Sequence, residues 1–204
     1  MTRTDAPAEE LVARLRETPS ALAAASALLD ALDHAERVRA VRSLKRADQR
    51  RLYDAAAGFR PLDLADLVPA ARADLATVRH FGVNSLPAFS HFEKRFCRPP
   101  GAEAAQPEAL YGFNFQSLSP LTGPGYFLAR RDPERPEILV DYREVPPQAP
   151  PGWPALRPNH RGLSRFVYGF MIDTLRGVSE HVSVGSAARH GKDLNSWFVL
   201  CRQD

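Results

Sequence analysis

The sequence predicts an α+β protein: a helical region over residues 1–80, then a small antiparallel β-barrel or half-barrel over residues 81–204. Three observations carry that prediction. Alanine and leucine at helical spacing dominate the first part. Past residue 80 alanine thins out, and most of the 11 phenylalanines, both tryptophans and four of the five tyrosines follow. The apolar stretches there are short, and turn-length connections rather than crossover helices separate the early ones. About six such strands in ~110 residues remove their exposed edges best by curling shut.

The elements follow in order. Leu11 and Leu15 mark a first helix after Pro7. Ser20 is placed to cap a second, SALAAASALLDALDHA, with Leu22, Leu28, Leu29 and Leu32 at helical spacing. A third is expected through AERVRAVRSLKRADQRRLYDAAAGF, where Val38, Val41, Leu44, Leu52 and Phe59 form a stripe, Gly58 is a C-cap and Pro61 a stop. A short helix at LDLADLVP ends before Pro69. FSHFEKRFCRPP carries Phe89, Phe92 and Phe96 at i, i+3 and i+7, which points to a helix or an irregular lid.

Strand patterns begin with LYGFNFQSL. Tyr111, Phe113 and Phe115 share one face, and Gly112, Asn114 and Gln116 the other. Gly123-Pro124-Gly125 reads as a turn into YFLARR, not as a phosphate loop, because no Gly-Lys-Ser/Thr and no helix follow. Tyr126 and Arg130 lie on one face of that strand. DPERP links it to EILVDYREV, where Ile138, Val140 and Tyr142 oppose Leu139, Asp141 and Arg143. Residues 146–162 are too rich in proline for an internal strand or helix, so a long loop is expected, with Trp153 as part of a lid. RFVYGFMI reads as a strand buried on both sides, although its spacing also suits a helix. VSEHVSVGSA alternates as a strand, RHGKDLN is a polar turn, and SWFVLCR closes the chain.

Composition limits the function classes. The formal net charge is +3, too small for a strong whole-molecule field. Only Lys45, Lys94 and Lys192 among the 27 basic residues are lysine, a bias suggesting a GC-rich bacterial genome. No apolar run approaches the ~18 residues of a membrane helix, and the first residues lack the pattern of a signal peptide. A cytoplasmic protein is therefore expected, with Cys97 and Cys201 as buried thiols rather than a disulfide. There is no nucleophile elbow, no dinucleotide fingerprint, and no Cys/His spacing of the zinc type, so no metal site is predicted and no cofactor is indicated.

The last forty residues carry a family resemblance. MIDTLRGVSEHVSVGSAA followed by WFVLCRQ resembles the closing strands of small bacterial lipocalin-like (calycin) barrels, with an Asp-x-x-Arg step, a valine-rich strand containing glycine and an aromatic last strand. It covers Arg165 to Gln203. The Gly-x-Trp signature of true lipocalins is missing from the start of the barrel. The resemblance implies a barrel with a small-molecule pocket, and no particular ligand.

Candidate site residues follow from the strands. A ligand cavity combines an apolar wall with a few placed polar groups. Tyr111, Phe113, Phe115, Tyr126, Tyr168 and Trp197 are candidates for the wall, with Asn114 and Arg130 as polar contacts. The alternative is that the aromatics are plain core and the charges surface cross-strand pairs. Candidates for acid/base chemistry are Asp141, Asp173, Glu180 and His181. Asp141 and His181 are a pair that can meet across strands, and Asp173 and Arg176 can pair across a turn. Glu180 and His181 are adjacent and on a strand would face apart.

The leading expectation is a barrel that binds a small, partly apolar ligand. A second is an enzyme acting on a small molecule in the same cavity. A third is a scaffold whose basic third helix (Arg39, Arg46 and Arg50 among its charges) docks a protein partner or nucleic acid, although the arginines are spread around the helix without interleaved aromatics.

Overall fold

The computed structural model describes residues 6–17, 21–87, 90–116, 123–160, 162 and 164–204. Ser20, Phe89, Ser117 and Leu118, which entered the sequence reading, lie outside them. Five helices come first: α1 Ala6–Glu17, α2 Ala21–Ala31, α3 His34–Ser43, α4 Arg46–Ala55 and α5 Leu64–Leu67. Eight strands follow: β1 Val78–Asn84, β2 His91–Cys97, β3 Leu110–Phe115, β4 Tyr126–Arg131, β5 Ile138–Asp141, β6 Met171–Gly177, β7 Val182–Arg189 and β8 Lys192–Arg202. A short helix, α6 Ser164–Val167, precedes β6. Each strand pairs antiparallel with the next, and β8 pairs back onto β1, so the sheet is a closed barrel without edges.

Three element predictions need correction, and β1, where the sequence predicts no strand, together with β2 raises the six or so expected strands to eight. The single third helix is two. Leu44 leaves α3 in an extended conformation, and the Asp48 carboxylate accepts the Lys45 amide, starting α4. Gln49 Nε2 donates to the Leu44 carbonyl freed by the break. No glycine or proline marks the site, so the apolar stripe reads straight through it. FSHFEKRFC is not a helix or lid: residues 91–97 form β2, with Phe92, Lys94 and Phe96 on one face. RFVYGFMI is not one strand. It is α6, a turn in which Phe170 takes a positive φ, and the start of β6.

The register shows which parity points inward. His80 pairs with Lys94, Lys94 with Asn114, Gly112 with Phe127, Val140 with Asp173, and Gly185 with Phe198. Three inward glycines lie under rings from the adjoining strands. A Cβ on Gly82, Gly112 or Gly185 would run into Phe92, Phe127 or Phe198 respectively. This small-large pairing fits bulky rings into a narrow barrel.

The two ends differ. At the lower end, Leu62, Leu64, Leu67 and Val68 around α5 pack with Val78, Phe96, Leu110, Ile138 and Leu175 into a solid core. Outside the barrel, α3 and α4 lie on β7, β8 and β1, with Val83, Val184, Val199 and Cys201 beneath them, and α1 packs on α2, α3 and α4. Cys97 and Cys201 are free, buried thiols, and burial pushes both up to about 12. No helix among the described residues is long and apolar enough to cross a membrane.

Candidate functional site

Above the solid lower half, the barrel holds a cavity of about 430 Å³ that opens at the upper end. That size is in the range that accommodates small ligands. Phe92 and Phe198 form part of its wall. Leu86, Phe166 and Leu194 stand at its rim, all partly in solvent. Arg189 holds α6 over the rim by donating to the Phe166 and Val167 carbonyls at 3.0 and 2.9 Å, the favoured place for a cation at a helix C-terminus.

The floor is polar. Lys94 Nζ donates to Asp173 Oδ2 at 2.9 Å, to Asn114 Oδ1 at 3.1 Å and to the Tyr142 hydroxyl. Asn114 Nδ2 donates to the same hydroxyl at 2.9 Å, and the hydroxyl in turn donates to Asp173 Oδ2 at 3.2 Å. The Lys94 and Asp173 side chains are each 2% exposed. Burial lowers the Lys94 pKa, and the Asp173 carboxylate opposes that shift. The rings of Tyr142 and Phe198 stand 4.9 Å from the ammonium and Phe127 5.1 Å, which favours its charged form. Burial also pushes the Tyr142 phenol well up, and Asp173 adds to the effect. Asp173 Oδ1 is buried without a hydrogen-bond partner among the described residues. A carboxylate with one oxygen saturated and the other bare is suited to receive a donor from a ligand.

Of the residues singled out in the sequence, the fold brings Asn114, Asp173 and Tyr168 to this cavity. Tyr168 stacks on Tyr142 with ring centres 5.4 Å apart, and its ring also covers Gly125, which has a positive φ. The other proposed wall residues are elsewhere. Tyr111, Phe113, Phe115, Tyr126 and Arg130 lie on the parity facing out of the barrel, and Arg130 pairs with Glu144. Trp197 faces out under the Arg46 and Arg50 guanidiniums, 5.1 and 5.7 Å from its ring. Those two arginines of the basic segment are thus engaged in packing α4 onto the barrel.

Trp153 is not a lid. Its ring lies 4.6 Å from Phe113 and 6.1 Å from Tyr126 on the outer wall, and Nε1 donates to Thr77 Oγ1 near the lower end. Tyr126 donates its hydroxyl to the Pro154 carbonyl. Asn159 ties the loop to the Tyr126 and Tyr142 carbonyls. The proline-rich loop straps the outside of the barrel and buries Phe113 and Tyr126 beneath it, while Tyr111 is half-buried and Phe115 is exposed.

The acid/base candidates separate. Asp141 faces out and is held by Arg143 at 2.7 Å. His181 and Glu180 sit in the connection between β6 and β7 at the lower end, so His181 does not meet Asp141. They are not on a strand, and their side chains approach to 3.7 Å rather than facing apart. His181 lies 3.1 Å from Asp204; burial lowers its pKa, and Arg202 and Arg37 add to the shift. Asp173 pairs with Lys94 and Arg176 with Glu137, not with each other.

The sequence reading missed Lys94 and gave Tyr142 no role. A signal for Lys94 existed: on a strand it falls between Phe92 and Phe96 on one face, a charge at an apolar parity. The helical spacing of the phenylalanines hid it. Comparisons with protein-family models, with curated proteins and with solved structures returned no match.

Proposed function

We propose that the protein binds a small, partly apolar molecule in the upper half of the barrel. Its apolar body would lie against Phe92, Phe198 and Met171, and a polar end would reach the Lys94–Asp173 floor. The observation that carries this reading is a cavity of about 430 Å³ ending on a buried ion pair whose Asp173 Oδ1 has no partner among the described residues. A wall of rings and a floor of fixed polar groups is the arrangement by which pockets combine affinity with orientation.

The test is a thermal-unfolding screen against medium-chain and aromatic alcohols, acids, aldehydes and ketones. A ligand at 100 times its Kd adds about 2.7 kcal/mol of stability. Ala187 lies in the cavity wall, so Ala187→Phe fills ligand space. The variant is expected to fold and to lose the shift given by the wild-type ligand. An equal shift in Ala187→Phe would place binding outside the barrel.

A second reading, an enzyme in the same cavity, is favoured by the convergence of Lys94, Asp173 and Tyr142. Three groups able to exchange protons meet there within hydrogen-bond reach.

A further inference from the structure

Of the three lysines in the chain, Lys45 and Lys192 are exposed and Lys94 is buried at the cavity floor. We propose that Lys94 is a covalent attachment point, whose amine condenses with an aldehyde or ketone seated in the cavity to form an imine. The proposal rests on the binding reading above and adds the class of ligand: an apolar carbonyl compound.

Placement argues for a chemical rather than a purely cohesive role. A buried ion pair is weak as a source of stability, because desolvating both charges offsets most of their attraction. A pair serving cohesion alone would be expected in the packed lower half. This one lies where the packing stops, and both partners line the cavity. A buried lysine amine is also the kind that readily gives up its proton to act as a nucleophile. Desolvation acts in that direction on Lys94.

The neighbours supply the proton transfers. Asp173 Oδ2, 2.9 Å from Nζ, takes a proton from the ammonium and leaves a neutral amine. The nitrogen lone pair adds to the carbonyl carbon, and the C=O π pair moves to oxygen. One proton passes from nitrogen to that oxygen, giving a carbinolamine. Asp173 returns its proton to the hydroxyl, which departs as water while the nitrogen lone pair forms C=N. One amine, one carbonyl and the shuttled proton thus become one protonated imine and one water. The site begins as ammonium and carboxylate and ends as iminium and carboxylate, so no net charge is created in the barrel. The Tyr142 hydroxyl is placed to donate to the carbonyl oxygen as it gains charge, and the apolar wall above limits the water that would hydrolyse the product.

The experiment uses the full chain, 6-methoxy-2-naphthaldehyde as the probe and sodium cyanoborohydride to fix any imine as a secondary amine, followed by peptide mapping by mass spectrometry. The expected result is labelling of Lys94 at least ten-fold above Lys45 and Lys192, although both of those are exposed. Ala187→Phe should abolish the Lys94 label. Lys94→Met/Asp173→Asn, which removes both charges together, should gain none of the probe's mass inside the barrel. Labelling confined to Lys45 and Lys192, with the thermal shift intact, would overturn the covalent proposal and leave the binding reading standing. No thermal shift from any compound of the screen, together with an unlabelled Lys94, would remove both.

Discussion

At the scale of single residues, the barrel interior is decided by a few side chains whose charge state depends on burial. His80 faces inward, donates Nε2–H to the Leu67 carbonyl at 2.9 Å and meets the Phe96 ring edge-on at 4.8 Å. Burial holds its pKa at about 3, and Arg202 and Lys94 add to that depression. The unfolded chain protonates this histidine near 6.5 and the folded one does not. Stability is therefore unaffected above pH 6.5, and falls by up to about 1.4 kcal/mol per pH unit as pH drops below it. His80→Gln keeps a donor for Leu67 and does not titrate. Urea unfolding between pH 6.5 and 5, above the range of the carboxylates, should show a flatter slope in that variant; an unchanged slope would mean another group titrates. Lys94 makes a separate prediction. Lys94→Met leaves the Asp173 carboxylate buried and unpaired, and should destabilise by about 3–5 kcal/mol. Lys94→Met/Asp173→Asn should recover much of that loss. Equal midpoints for the single and double variants in urea would contradict the pairing.

At the scale of elements, the proline-rich segment changes meaning most. Its composition argues against an internal strand or helix, and the described residues among 146–162 form neither. A loop of that kind suggests a lid, yet Trp153 covers Phe113 and Tyr126 on the outer wall. Trp153 is half-buried, so Trp153→Ala should cost about 1–3 kcal/mol, below the range for truncating a fully buried aromatic. It should leave ligand affinity within about two-fold of wild type. A large loss of affinity at unchanged stability would restore the lid. The break between α3 and α4 follows the same logic on a smaller scale. Asp48 reads as one more acid in a charged helix, but it is buried, caps α4 and accepts from Arg16. β2 is the third case. A seven-residue strand with charges on both faces lacks the alternation that announces a strand, because its outward Glu93 pairs with Arg79 and Arg95 while its inward Lys94 pairs with Asp173.

At the scale of the whole molecule, the helices form part of the barrel's outer wall. Val83, Val184, Val199 and Cys201 face outward yet are buried, because α3 and α4 lie over them. A chain starting at residue 78 would expose that apolar surface on β7, β8 and β1. It should aggregate or populate oligomers in size-exclusion chromatography, whereas the full chain should not. A monodisperse, cooperatively unfolding fragment would show that the barrel folds without its helical cover. The order of helices then strands and the antiparallel connections follow from the sequence, because helix spacing, turn composition and short connections are local properties. β1 and β2 are not legible as strands, and the pairing of β8 with β1 decided for a closed barrel over a half-barrel. The inward parity is not legible either. Tyr111, Phe113 and Phe115 form the more apolar face of β3, yet Gly112 and Asn114 point inside. A barrel of eight strands has little interior, and rings from neighbouring strands fill it over the glycines. On the outer face Phe113 is buried just as well, beneath the Trp153 strap, while Phe115 stays exposed under the Arg95 guanidinium. Hydrophobicity along a strand measures burial and does not distinguish burial inside the barrel from burial under a cover. Only the closed tertiary structure, which brings β2, β3 and β6 around one axis, decided that Lys94, Asn114, Tyr142 and Asp173 meet at the floor of a cavity.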